Sequence, residues 1–349
     1  MYPSNRSLIS LVGLNDSNRE QEEYKKGEIK ALLGASKYQM RLPFTRDEFV
    51  RELPKKQKGM SISGYQPKLS LAINDENELG VVEDKALFIL KPSPAEFPYL
   101  AENEHATMLV MKVLGFDLPP FGLVRFSGQG EDSERAFIIR RYDRLKAGEE
   151  AIHQEQLDAA MSVSEKYGKI KDDNEGYISY EQACKFLITK VDSSLPFKRE
   201  LFKRVLTAYF LGNNDLHLRN IGLLLPEKGD AQLTPIYDYV SIAPYPEYIA
   251  NETSLALPLL ASEEGDNGNT SGYISHCTYT GYDFLTFADN IGINPKLAKK
   301  LIEELCAKTE KIKDIYQNSF MPEVHIAKVI EWIDSRNNYL LQLEHVDIG

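Results

Sequence analysis

The sequence predicts an α+β chain of two lobes, a small strand-rich lobe followed by a larger helical one. Three observations carry this. Between Lys68 and about Tyr142, strand-length runs recur as KLSLAI, ALFILKP, FGLVRF and AFIIRRY. One segment of helical period, ENEHATMLVMKVLG, interrupts them. After about Leu145 the apolar residues fall mostly at helical spacing. The two lobes are therefore expected over residues 1–145 and 146–349.

Taken in order, the opening residues are polar and acidic, with Glu20, Glu22, Glu23, Lys25 and Lys26 close together, and read as a mobile arm or a fringe helix. KLSLAI alternates as a half-buried strand does, and ALFILKP is a short apolar run ending at Lys91-Pro92. The helix that follows has Gly115 where a C-terminal cap should fall. SGQGEDSER, between the last two strands, is rich in turn formers and reads as a hairpin connection.

In the second lobe, SYEQACKFLITKV is amphipathic. SSLPFKRELFKRVLTAYFLGN carries Phe197, Leu201, Phe202, Val205, Leu206, Tyr209 and Phe210, a stripe broad enough to require burial against other helices. IGLLL and LTPIYDYV are short apolar runs joined by the turn segment PEKGDAQ. PKLAKKLIEELCAKTEKIK and EVHIAKVIEWIDSRNNYLLQLEHV read as long amphipathic helices, and GDNGNTSGY as a surface loop. No repeat of solenoid length is present.

Composition narrows the class. A chain of 349 residues suggests one large or two modest domains. With 42% hydrophobic and 27% charged residues it lies near globular averages, which argues against wholesale disorder. The 41 Lys+Arg against 52 Asp+Glu leave a net charge of -11, unsuited to gripping nucleic acid unaided. No stretch approaches the roughly 20 apolar residues of a membrane span, and the N-terminus lacks a signal-peptide pattern, so a soluble, cytoplasmic protein is expected. The three cysteines, Cys184, Cys277 and Cys306, are too few and too scattered for a disulfide or zinc framework. His276-Cys277 has no second ligand pair to complete a site.

The segment LGNNDLHLRNIGLLL carries the sharpest chemical signal. It follows a buried helix and precedes a short strand, which puts Asp215 and Asn220 on a connecting loop. An Asp followed by Asn five positions later has the spacing of a protein-kinase catalytic loop, where the Asp orients the acceptor hydroxyl and the Asn holds magnesium. Asp238, in PIYDYV, supplies a second carboxylate suited to the hard oxygen ligation of magnesium. An Asx turn would explain Asp215 and Asn220 alone; the spacing to Asp238 and the lobe order favour catalysis. Lys91 ends a strand in the small lobe, where a kinase places its phosphate-pairing lysine. Glu102 and Glu104 on the next helix are candidate ion-pair partners, with Glu104 favoured over a mere first-turn acid. Upstream, KKQKGMSISGYQPKLSLAI offers a polar loop before a strand whose N–H groups can face phosphates. Ser61 and Ser63 in that loop are candidate phosphorylation sites whose modification would disfavour a bound triphosphate.

SISGYQPKLSL, FILKP, ENEHATMLVMKVLGFDLPPF, AFIIRRYDR, IHQEQLD with the later KYG, GNNDLHLRN and PIYDYVS occur in the order seen in the HipA family. The sequence resembles these bacterial toxin Ser/Thr kinases from about Ser61 to past Leu257, and in length and in its Ser-Ile-Ser loop is similar to the short HipT branch. The resemblance implies a bilobal protein-kinase-like fold using ATP and Mg2+. It implies Asp215 as catalytic aspartate, Asn220 and Asp238 as metal ligands, and Lys91, paired with Glu104, on the ATP phosphates. It further implies a nucleotide loop from Ser61 through Ser63, Gly64 and Gln66 to Lys68, a hinge beside adenine at Arg140, Arg141 and Tyr142, and His217 at the nucleotide. Ser61 and Ser63 would be autophosphorylated. The implied substrate is an aminoacyl-tRNA synthetase, tryptophanyl-type favoured, whose modification blocks translation. The implied partners are a HipB-like helix-turn-helix antitoxin, through which DNA is reached only indirectly, and a small HipS-like protein.

Two departures from ordinary kinases stand out. Asp238 is followed by Tyr-Val rather than Phe-Gly, and the nucleotide loop is poor in glycine. A small-molecule kinase on the same scaffold, or a non-catalytic kinase-like module in a repressor complex, are the rival readings.

Overall fold

The computed structural model describes residues 5–51, 67–128, 134–144, 150–168, 177–248, 255–266 and 269–345. Ser61, Ser63, Gly64 and Gln66 lie outside the described residues. Two compact units are present. The first comprises Met1–Ala151 with Pro235–Tyr237 and Ile315–Pro322, and the second the remaining segments.

The opening residues are built into the first unit and are neither a mobile arm nor a fringe helix. A hairpin of β1 (Arg19–Gln21) and β2 (Tyr24–Lys25) leads into α1 (Glu28–Leu33), and α2 (Arg46–Arg51) follows. Leu8, Leu14, Tyr24, Ile29, Leu32 and Leu33 are buried. These residues are spaced irregularly between charged ones, so no period advertised them. Glycines at both ends of α1 adopt positive φ, which fixes so short a helix.

The strand-like runs form a five-stranded antiparallel sheet of β3 (Leu69–Ile73), β4 (Leu79–Val81), β5 (Phe88–Pro92), β6 (Phe121–Arg125) and β7 (Arg135–Arg140), in the order β4-β3-β5-β7-β6. The N-terminal segment lies along β6. Leu123 N–H donates to Leu8 O at 2.8 Å, Tyr24 OH donates to Leu123 O at 3.0 Å, and Arg125 forks onto Glu23 at 2.5 and 2.6 Å. At Gly122 a Cβ would lie 2.6 Å from Ile9 Cγ1, so the approach depends on glycine there.

Helix α3 (Leu100–Val113) is buried on nearly every side from Ala101 to Met111. It packs on the sheet through β5, β6 and β7, while His105 reaches Ile9 O at 3.0 Å and Thr107 Oγ1 meets Tyr316 OH at 2.9 Å. Gly115 takes φ +85° just past the helix end, as the sequence anticipates.

In the second unit, β8 (His153–Gln156), β9 (Gly222–Leu225) and β10 (Gln232–Leu233) form a small antiparallel sheet in the order β10-β9-β8. Its helices are α4 (Leu157–Ala160), α5 (Tyr180–Lys190), α6 (Leu195–Leu211), α7 (Ser271–His276), α8 (Gly281–Asn290), α9 (Pro295–Cys306), α10 (Thr309–Gln317), which ends in the first unit, and α11 (Glu323–Leu340). Ser194 caps α6 and Pro196 sits in its first turn; Gly212, at φ +72°, ends it. The predicted stripe of α6 is the core: Phe202 packs on Phe284 and Phe287 at 6.4 and 6.0 Å. The segment expected as one helix from Pro295 onward breaks at Ala307-Lys308, where Thr309 Oγ1 turns back to Cys306 O at 2.7 Å and also reaches Asn337. Part of the expected surface loop, Ser271–Tyr273, is helical and capped by Thr270.

Candidate active site

The first unit contributes a buried ion pair. Lys91, near the end of β5, faces α3, and its Nζ lies 2.6 Å from Glu104 Oε1. The two side chains are 5% and 0% exposed, so neither charge is watered. Lys91 Nζ also lies 5.7 Å from the Phe137 ring centre, beside its register partner on β7. Of the two candidate glutamates, Glu104 meets Lys91, whereas Glu102 lies 3.6 Å from Arg135. Burial outweighs that arginine and pushes the Glu102 carboxyl up to about 7. Burial also lowers His105 to about 4, so it is neutral and its Nε2–H donates to the Ile9 carbonyl.

Arg140, Arg141 and Tyr142 follow in the same unit at the end of β7. Arg141 forks onto Asp143 at 2.9 and 2.5 Å, its N–H donates to Leu87 O, and Tyr142 packs on Tyr237 at 5.4 Å. This turn is held from both sides. Lys68 is half-buried immediately before β3.

The second unit holds the D-L-H-L-R-N loop. Asn213 receives the Asp215 N–H on Oδ1 at 3.1 Å. The His217 N–H donates to Asp215 O at 2.8 Å, and the Asn220 N–H donates to His217 O at 2.9 Å. Asn220 Nδ2 donates to Asp215 O at 2.7 Å and to its Oδ2 at 3.2 Å. That leaves the Asn220 side-chain oxygen as a hard acceptor beside the Asp215 carboxylate. A one-turn 3-10 helix, Leu218–Asn220, fixes the spacing between the two residues.

Surrounding elements clamp this loop. Tyr180, buried at the start of α5, donates its OH to Leu216 O at 2.7 Å. Arg219 pairs with Asp158 of α4 at 2.7 Å. The Gly212 carbonyl accepts from Ile242 N–H, and a Cβ at Gly212 would lie 2.9 Å from the Trp332 indole of α11.

The Asp215 side chain is 47% exposed, hence reachable, yet protein crowds its other sides. That crowding, and the Asp238 charge nearby, push its carboxyl above the usual range, against the pull of His217 and Lys166. His217 Nε2 is 3.4 Å from Asp215 Oδ1, but burial holds the imidazole below its ordinary pKa. Asp238 adopts φ +60°, a left-handed conformation that Asp tolerates better than most residues.

Two carboxylates that repel one another beside an amide oxygen are a donor set a divalent cation would relieve, and the residues fit magnesium. Among the described residues no group of three or more His, Cys, Asp or Glu could hold a metal, which magnesium does not require, since it keeps waters and uses one or two carboxylates. Asn213 Nδ2 and His217 Nδ1 are buried without hydrogen-bond partners among the described residues. Neither Asn213 nor Lys166 is among the site residues that the sequence points to. Asn213 is marked only by standing two residues before Asp215, and Lys166 comes from a separate segment that the fold brings to the loop.

A family model for the HipA-like C-terminal domain matches residues 60–312. A Haemophilus influenzae protein named "Putative kinase" is 52% identical over 292 residues, covering 83% of this chain and 84% of that protein. The Shewanella oneidensis serine/threonine-protein kinase toxin HipA is 26% identical over 213 residues, which span 57% of this chain and 46% of that protein. Among solved structures, HipA from the Shewanella oneidensis MR-1 toxin-antitoxin complex of HipA, HipB and operator DNA superposes with a TM-score of 0.64 at 20% identity, over 88% of this chain and 76% of that one. No helix among the described residues is long and apolar enough to cross a membrane.

Proposed function

The chain belongs to the family of HipA-like C-terminal domains and has its α+β kinase-toxin fold, and on that premise we propose that it is an ATP-dependent serine/threonine protein kinase, the toxin of a toxin-antitoxin system. The observation that carries the reading is the hydrogen-bonded pair of Asp215 and Asn220, with Asp238 close enough to perturb it.

In this reading Asp215 orients the acceptor hydroxyl and takes up its proton as the serine or threonine oxygen bonds to the γ-phosphorus. The bond from that phosphorus to the β,γ-bridging oxygen breaks, and ADP leaves. Asn220 and Asp238 would hold Mg2+, which would supply charge neutralisation along the phosphates. Lys91, kept in place by Glu104, pairs with ATP phosphates. The segment from Ser61 and Ser63 through Gly64 and Gln66 to Lys68 covers them, and His217 lies at the nucleotide. The turn Arg140–Tyr142 is the hinge beside adenine. His217, neutral and buried, suits a hydrogen-bonding role better than that of a second cation.

The finer identity follows the HipT branch. The substrate is an aminoacyl-tRNA synthetase, tryptophanyl-type favoured. Ser61 and Ser63 are autophosphorylated, and the partners are a HipB-like antitoxin and a HipS-like protein in the cytoplasm. DNA is reached only through the antitoxin, as the net charge of -11 favours.

The test is ATP-dependent phosphate transfer to purified tryptophanyl- and glutamyl-tRNA synthetases, beside Asp215→Ala and Asp238→Ala variants. Phosphate on the tryptophanyl enzyme with the parent alone supports the full reading. Phosphate on the kinase itself but on neither synthetase removes the substrate assignment. No protein phosphate from a folded, ATP-binding chain removes the protein-kinase reading.

A further inference from the structure

The segment Lys166-Tyr167-Gly168 has no part in the chemistry described so far, yet it is fastened to the D-L-H-L-R-N loop. The Lys166 carbonyl accepts the Leu218 N–H at 3.0 Å, midway between Asp215 and Asn220. Gly168 takes φ +65°, and a Cβ there would lie 2.8 Å from Leu218 Cδ1 and 3.0 Å from Ile178 Cβ. The Ile178 N–H donates to the Gly168 carbonyl at 3.1 Å. Tyr167 sets its ring edge-on to His217 at 5.9 Å and to Tyr177 at 6.2 Å. Lys166 is thus fixed at its backbone by one hydrogen bond and at its neighbours by a close-packed glycine and an aromatic cluster.

Its side chain is half-buried, and the ammonium lies 4.8 Å from the Tyr167 ring centre. That ring steers the amine without neutralising it, and the amine makes no ion pair among the described residues. Its positive charge is felt at both Asp215 and His217. The ammonium lies 4.8 Å from the Tyr167 ring, that ring 5.9 Å from the His217 ring, and His217 Nε2 3.4 Å from Asp215 Oδ1, which puts a cation on the flank of the loop where the phosphoryl group would change hands. There a compact ammonium matches the oxygens of a terminal phosphate as a point charge.

We propose that Lys166 is a phosphate-contacting residue that reads the terminal phosphate of the nucleotide, and so distinguishes a triphosphate from a diphosphate at the Asp215 loop. The assignment rests on the phosphoryl-transfer reading and gives a role to a residue of the K-Y-G segment to which that reading assigns none. Asp215, Asp238 and His217 are the other ionisable groups sensed at this point. The two carboxylates repel a terminal phosphate, and Lys166 offsets that repulsion.

The experiment is calorimetric titration of the full chain with ADP and with the non-hydrolysable β,γ-imido analogue of ATP, each with Mg2+, for the parent, Lys166→Met and Lys166→Arg. The Met variant should bind the triphosphate analogue about 10-fold more weakly and ADP within about 2-fold of the parent, with an unchanged thermal midpoint, in keeping with the loss of one charged contact. The Arg variant should keep most of the triphosphate affinity. Equal weakening toward both nucleotides, no weakening toward either, or an Arg variant as poor as Met overturns the proposal. A parent that binds neither nucleotide fails the kinase reading itself, and this assignment falls with it. Selective loss of kcat without selective loss of triphosphate affinity also overturns the assignment, since it makes Lys166 a positioning residue for the loop.

Discussion

Asn220 donates its side-chain amide both to the main-chain oxygen of Asp215, at 2.7 Å, and to its carboxylate, at 3.2 Å. One side chain therefore closes the loop and turns its remaining oxygen toward the same space as Asp215. Asn220→Ala should weaken the Mg2+ dependence of phosphate transfer by about 10- to 100-fold in half-saturating concentration, the usual scale for residues that hold or orient a metal ligand set. A Mg2+ titration of the transfer rate checks this. An unchanged half-saturation point would leave Asn220 with the loop-closing role alone.

The Lys91–Glu104 pair is enclosed by β5, β7 and α3. Removing one partner leaves the other charge in a dry environment, so Glu104→Gln should lose about 3–5 kcal/mol of stability. The double variant Lys91→Met with Glu104→Gln should recover a large part of that loss while abolishing transfer. Denaturant titrations of Glu104→Gln, Lys91→Met, the double variant and the parent give the coupling directly. A double variant no more stable than Glu104→Gln would contradict the pairing.

Glu102 gives a pH dependence of stability. Its folded pKa of about 7 lies above the ordinary value of 4.5, because burial outweighs Arg135. The folded state thus holds the proton more tightly than the unfolded chain. The stability this contributes is fully present below about 4.5 and is lost as pH rises through 7. Glu102→Gln should flatten the decline between pH 5 and pH 8 by on the order of 2–3 kcal/mol, measured by denaturation at both pH values. Glu263, also pushed up to about 7 by burial, retains its own share in both proteins. An equal decline in the two proteins would show that Glu102 does not titrate in this window.

The N-terminal segment should prove integral to the first unit. Tyr24→Phe removes the hydroxyl that satisfies the Leu123 carbonyl on β6 and should lose about 1–3 kcal/mol. Denaturant unfolding of the variant measures this. A loss below 0.5 kcal/mol would mean that the segment is only loosely attached.

What the sequence makes legible follows from periodicity and from local motifs. The alternation of KLSLAI and the apolar stripe of α6 survive as β3 and as the helical core, because each is repeated often enough to be read. The N-terminal hairpin is not legible, since its buried residues are scattered among charges and are held by backbone contacts to β6. Strand β8, His-Gln-Glu-Gln, has no apolar alternation and is defined by its pairing with β9. α3 is buried all round, so helical period alone does not say which face meets Lys91. Within the site, the Asp215–Asn220 spacing can be read because both lie in one short loop. Lys166 and Tyr180 cannot, because 49 and 35 residues separate them from Asp215 and only folding brings them to it.

Transfer of phosphate from ATP to serine through Asp215 is best probed by intact mass and phosphopeptide mapping. The parent and Asp215→Ala would each be incubated with ATP and Mg2+ after phosphatase treatment. Phosphate is expected on Ser61 or Ser63 of the parent and none on the variant. An unmodified parent that still binds ATP, or an Asp215→Ala chain that modifies itself as fast as the parent, would contradict it.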